Sequence, residues 1–175
     1  MKIISFAGSN SSHSINKKLA AYAVSLFHTP DAEVLDLNDY EMPLFSVDRE
    51  EKSGHPQLAK DFLAKIGSAD FLVVSLAENN GNYSSAFKNL FDWCSRIRND
   101  VFQDKPMLLM ATSPGKRGGR SVLDIALNNL PRYGGNIRAE FSLPQFYDNF
   151  DIDNGVISNP DKALELQNIV NSLRP

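Results

Sequence analysis

Between Gly8 and Lys17 the chain reads Ser9-Asn10-Ser11-Ser12-His13-Ser14-Ile15-Asn16, a dense set of hydroxyls and amides. Such groups donate hydrogen bonds that can surround the oxygens of a phosphate. Before them lies a short apolar run, Ile3-Ile4-Ser5-Phe6-Ala7, which fits a buried strand. After them Ile15, Leu19, Ala20, Ala23, Val24 and Phe27 recur at helical spacing. A strand that passes through this turn into a helix aims free N–H groups and the positive end of the helix dipole at one point, which suits an anion. Ser and Asn are also ordinary capping residues. Capping needs one of them, and this run supplies several. The P-loop is excluded because no Gly-Lys-Ser/Thr follows, and the dinucleotide fingerprint because Gly8 stands alone.

Two later turns have comparable chemistry, and both follow apolar runs. Asp70 to Leu76 reads as a central parallel strand, apolar on both faces, and leads into Glu78-Asn79-Asn80-Gly81-Asn82-Tyr83. Met107 to Thr112 leads into Ser113-Pro114-Gly115-Lys116-Arg117-Gly118-Gly119-Arg120. Two further strands are expected at Ala32–Leu37 and near Ile137–Phe141. Helices are expected from Ile15 to about His28, Pro56 to Ile66, Ser84 to Arg98, Ser121 to Leu130 and Asp161 to Leu173. Asn38–Gly54 and Tyr147–Asn159 read as irregular connections and candidate lids over a ligand.

Strands alternating with helices mean a parallel sheet with right-handed crossovers and helices on both faces. Five such units fit an α/β, flavodoxin-like doubly wound sheet of strand order 2-1-3-4-5. Its ligand crevice lies outside the C-terminal strand ends, between the first and third strands. The three polar turns therefore converge on one rim.

A chain of 175 residues is expected to form one domain, residues 1–175, with a proper core. Its hydrophobic fraction of 42% and charged fraction of 22% are ordinary for a globular protein, and with a net charge of -3 and no long basic run nothing points to nucleic acid. No apolar stretch is long enough for a membrane span or a signal peptide, so a cytoplasmic location is expected. Cys94 is the sole cysteine and lies on a helix face with Phe87, Leu90 and Phe91, as a buried structural thiol would. Cysteine and histidine show no metal-ligand spacing, and His13 reads as a solvent-facing loop residue.

A phosphate site built from neutral donors, beside Gly- and Asn-rich turns that let backbone approach a flat ring, suits flavin mononucleotide (FMN). In residue detail the chain resembles the NADPH-dependent FMN reductase family of quinone, azo-dye and chromate reductases. Gly8, Ser9, Ser14 and Asn16 match its phosphate turn, Gly-Ser-x-Arg-x-x-Ser-x-Asn, with Ser11 in the Arg place. Glu78, Asn80 and Gly81 match its second turn, where Ala77 and Asn79 replace a Pro and a Tyr. Lys88, Asn89, Asp92 and Trp93 reproduce its helix signature, and Ser113, Gly115, Gly118 and Gly119 its third turn.

The resemblance implies a two-step cycle in which NADPH or NADH reduces FMN and a small acceptor such as a quinone reoxidises it. Chemistry rests on flavin N5, and no side chain acts as acid or base. Ser9, Ser11, Ser14, Ile15 and Asn16 are then expected around the phosphate. Glu78, Asn79, Asn80 and Gly81 are expected at the ring, with Ser113, Gly115, Lys116, Gly118 and Gly119 as the other wall. Family members assemble as homodimers or homotetramers, and Phe91 and Trp93, on an exposed helix, are candidates for that contact. Two other classes fit the fold: a flavodoxin-type electron carrier and a non-redox binding protein with a weakened flavin site. The modest net charge and Asn79 in the Tyr place argue against the carrier.

Overall fold

The computed structural model describes residues 1–174. In chain order the strands are β1 (Ile3–Gly8), β2 (Ala32–Leu35), β3 (Phe71–Asn79), β4 (Asn82–Tyr83), β5 (Pro106–Thr112), β6 (Asn136–Leu143), β7 (Phe150–Asp151) and β8 (Val156–Ile157). The helices are α1 (Ile15–Ser25), α2 (Val47–Ser53), α3 (Gln57–Ser68), α4 (Ser85–Ile97), α5 (Arg120–Asn129), α6 (Phe146–Asn149) and α7 (Pro160–Leu173). The main sheet runs β2-β1-β3-β5-β6, all parallel. With the short strands set aside this is the expected order.

Side chains alternate across the strands and divide the core in two. On one face Ile4, Phe6, Leu72, Val74, Leu109 and Ala111 pack under α3, α4 and α5. On the other, Ile3, Val73, Leu108 and Met110 pack under α1 and α7. Aromatic rings seat α4 on the first face: Phe87 stacks on Phe6 at 6.2 Å and on Phe91 at 5.9 Å. Truncating one of these buried rings to Ala costs about 3–5 kcal/mol.

Four sequence expectations change. First, β3 continues to Asn79 and the chain returns at once as β4, pairing Glu78 with Tyr83 and Asn79 with Asn82. Asn80 (φ 51°) and Gly81 (φ 74°) form its two-residue tip, the positive-φ pair of a type I′ hairpin.

Second, the 38–54 connection is structured. A 3-10 turn at Leu37–Tyr40 is capped by Asp36, and α2 by Ser46, whose Oγ accepts from the Arg49 N–H at 3.2 Å. The charges that read as a loop suit a short helix, with Asp48 and Glu50 in its first turn and Lys52 in its last.

Third, Phe91 and Trp93 are only 5% and 2% exposed, so neither offers a surface for a subunit contact. Trp93 Nε1 donates to the Pro43 carbonyl at 2.8 Å, and Asn89 exchanges bonds with Met42, Pro43 and Phe45. The helix signature thus straps residues 42–45 to α4. Fourth, the 147–159 connection contains most of α6 and the small β7–β8 hairpin.

Candidate functional site

The crevice lies at the C-terminal ends of β1, β3 and β5, where a cleft of about 220 Å³ opens. It is lined by Ser9, Ser11, His13, Ser14, Ile15 and Asn16 from the first turn and by Ala77, Glu78 and Asn79 from the end of β3. Thr112, Ser113 and Pro114 come from the end of β5, and Tyr147 from α6.

In the first turn three of the four serine oxygens accept a local backbone bond. Ser9 Oγ takes the Ser11 N–H and Ser11 Oγ the His13 N–H, each at 3.2 Å; Ser14 Oγ caps α1 through Lys17 N at 3.2 Å. These bonds use oxygen lone pairs and leave each hydroxyl proton free to donate outward. The N–H groups of Ile15 and Asn16, in the first turn of α1, have no intrahelical acceptor. This donor set fits a phosphate dianion. It contains no fixed cation: Lys17 is paired with Asp36, whose carboxyl it holds below the ordinary carboxylate range. His13 is exposed at the mouth.

Asn16 departs from its expected role. Its side chain is 3% exposed and spent on the protein itself. Oδ1 accepts from the Thr112 N–H at 3.0 Å and from Ser75 Oγ at 2.8 Å, while Nδ2 donates to the Thr112 carbonyl at 3.2 Å. The side chain therefore ties α1 to β3 and β5 beneath the cleft, and only its backbone N–H is left for an anion.

Glu78 is likewise turned to structure, Oε2 accepting from the Val122 N–H at 3.1 Å in the first turn of α5. A carboxylate is favourable at that helix end. In the third turn, Gly118 (φ 57°) and Gly119 (φ 75°) are buried. A Cβ on Gly118 would lie 2.8 Å from Pro144 N, and one on Gly119 would lie 2.8 Å from the Ala111 Cβ. These glycines let the turn lie against β5 and β6, so their space is taken by the protein and not by a ring.

Asn80, Gly81, Gly115, Lys116, Gly118 and Gly119 do not line the cleft. Asn80 and Gly81 form the β3–β4 tip, while Gly115 and Lys116 are exposed on the rim. Sequence reasoning reaches Tyr147 only as the first residue of the candidate lid Tyr147–Asn159 and does not single it out as a lining residue. It sits in a stretch whose composition reads as a loop, and no spacing ties it to the turns.

The family model of the NADPH-dependent FMN reductases matches residues 1–148. The chain belongs to that family. Among its relatives, a 2-hydroxy-1,4-benzoquinone reductase of Burkholderia sp is 34% identical over 143 residues, covering 75% of this chain and 76% of that protein. An NADPH:quinone oxidoreductase of Arabidopsis thaliana is 29% identical over 159 residues, covering 85% and 79%. In fold, the chain is similar to FerB of Paracoccus denitrificans, a flavoenzyme NAD(P)H:(acceptor) oxidoreductase. The TM-score is 0.76 at 23% identity, over 98% of this chain and 93% of that one. Like FerB, this FMN reductase family member has the doubly wound sheet. Among the described residues no helix is long and apolar enough to cross a membrane.

Proposed function

We propose that the whole chain, residues 1–175, is one FMN-binding domain that works as an NAD(P)H:acceptor oxidoreductase with a small acceptor such as a quinone. The observation that carries this reading is the donor set of the first turn, aimed into a cleft shared with the ends of β3 and β5. When bound, FMN supplies the hydride relay between nicotinamide and acceptor.

The chain's own part is binding and orientation. The hydroxyls of Ser9, Ser11 and Ser14 and the N–H groups of Ile15 and Asn16 hold the phosphate. The Ala77–Gly81 segment and Ser113 to Gly119 flank the ring, with Glu78, Gly118 and Gly119 acting through the backbone they fix and Lys116 at the rim. No side chain exchanges a proton with substrate. The names of the relatives support a quinone-type acceptor. A homodimer or homotetramer in the cytoplasm completes the proposal, and sedimentation of the purified protein reads the assembly.

The test is the visible spectrum of the purified protein with added FMN, followed by anaerobic addition of NADPH or NADH. Bound flavin that bleaches with nicotinamide and recovers on adding a quinone is the expected result. Bound flavin that the nicotinamide leaves oxidised would make the protein a carrier, and no bound flavin would overturn the reading.

A further inference from the structure

Tyr147 is 61% exposed, one of the largest apolar side chains the fold leaves in solvent. It lines the cleft together with Ser9, Ala77, Asn79, Ser113 and Pro114, and among the lining residues it alone carries a phenyl or phenol ring. We propose that Tyr147 is the stacking wall of this site: its ring packs on the isoalloxazine of FMN. The proposal rests on the FMN reading given above and names a residue that reading does not include.

Three features set this side chain apart from an ordinary surface tyrosine. Its backbone is locked to the third turn, because Gln145 N donates to the Gly115 carbonyl at 2.9 Å and Phe146 N to the Ser113 carbonyl at 3.1 Å. Gln145 holds φ 47°, a left-handed conformation that costs a non-glycine residue energy and persists only where surroundings enforce it. Its other neighbour anchors it, since Phe146 is fully buried, stacks on Phe150 at 4.6 Å and meets the Tyr147 ring edge-on at 5.6 Å.

A rigid segment thus presents a flat ring to the cleft while gaining little from burying it. The β3 end of the cleft, Ala77, Glu78 and Asn79, contributes no aromatic group. An aromatic ring with two rotatable angles and a fixed backbone stacks at low entropic cost.

The test compares the natural protein with Tyr147→Ala and Tyr147→Phe, each freed of flavin and titrated with FMN. Absorbance reports the affinity, and emission is measured per bound flavin. A stacked phenol quenches flavin emission and a phenyl ring does so far less, so the two variants separate stacking from mere packing. Tyr147→Ala is expected to weaken FMN binding roughly five-fold and to brighten the bound flavin. Tyr147→Phe is expected to keep the affinity within about two-fold and still to brighten it. Neither should change the thermal midpoint of the flavin-free protein, since the side chain is largely exposed.

Natural protein that binds FMN while Tyr147→Ala changes neither affinity nor emission would overturn this proposal alone. Lowered thermal midpoints in both variants with unchanged emission would make the role structural and also overturn it. Natural protein that binds no FMN would overturn the parent reading with it.

Discussion

Asn16 spans 96 residues of sequence to satisfy both backbone groups of Thr112, and it reaches Ser75 as well. Asn16→Ala leaves a buried N–H and a buried carbonyl unpaired. It is expected to lower the unfolding free energy of the flavin-free protein by about 2–4 kcal/mol in a urea titration; a loss below about 0.5 kcal/mol would show that solvent replaces the side chain. Sequence could mark this residue as belonging to the turn, because Ser and Asn density is a local signal. It could not separate the outward hydroxyls from the inward amide, because that depends on a partner on another strand. Ser11 is the opposite case, since its importance lies in what it is not. Ser11→Arg adds a cation to a site of neutral donors and is expected to tighten FMN roughly ten-fold at low salt. The gain should fade at high salt and be absent for riboflavin, which lacks the phosphate. An equal gain for riboflavin would show that the phosphate lies elsewhere.

At the level of elements, the glycines of the second and third turns separate by what surrounds them. Gly81 has a positive φ and open space, whereas Gly118 combines positive φ with Pro144 backbone at 2.8–2.9 Å from any added Cβ. Gly81→Ala should therefore cost about 1–2 kcal/mol, the left-handed penalty alone. Gly118→Ala should cost about 2–5 kcal/mol, because overlap adds to the same penalty. Thermal melts of the two variants decide the point, and equal losses would contradict the packing argument. The β3–β4 hairpin is legible in the sequence, since Asn-Gly between extended residues is a strong hairpin signal, although the polar run Glu78–Tyr83 disguises it as a single turn. The strap over 42–45 was not readable, since Asn89 and Trp93 find their carbonyl partners over 40 residues away.

Across the whole molecule, the alternation of apolar runs and helical spacing was enough to order the sheet, because parallel topology has few allowed solutions. Burial depth was less legible: Trp93 read as exposed because α4 receives a second cover from residues 42–45. The packing of α3 on α4 seals Cys94; its Sγ faces the Ala59 carbonyl at 3.7 Å, and burial pushes the thiol up to about 12. The sign of the consequence follows from linkage. Below about pH 8 the thiol is protonated both folded and unfolded, and nothing changes. Above that, only the unfolded chain releases the proton, so stability falls by up to about 1.4 kcal/mol per pH unit until the folded thiol ionises. Urea titrations at pH 7 and pH 10 should show a smaller loss in Cys94→Ala than in the natural protein. Equal losses would place the titrating groups elsewhere.

The hairpin tip of Asn80 and Gly81 also gives the protein a chemical age. An asparagine followed by glycine is the pairing in which the next backbone nitrogen most readily attacks the side-chain amide, expelling ammonia and leaving aspartate or isoaspartate. Asn80 is exposed at that tip, directly beside the end of β3. Stored protein is expected to gain one negative charge there, visible as an acidic shift on isoelectric focusing that Asn80→Ser abolishes. The isoaspartate form adds a backbone atom inside a two-residue turn and is expected to loosen the adjoining pairs Asn79–Asn82 and Glu78–Tyr83. An acidic shift that persists in Asn80→Ser would assign the ageing to another residue.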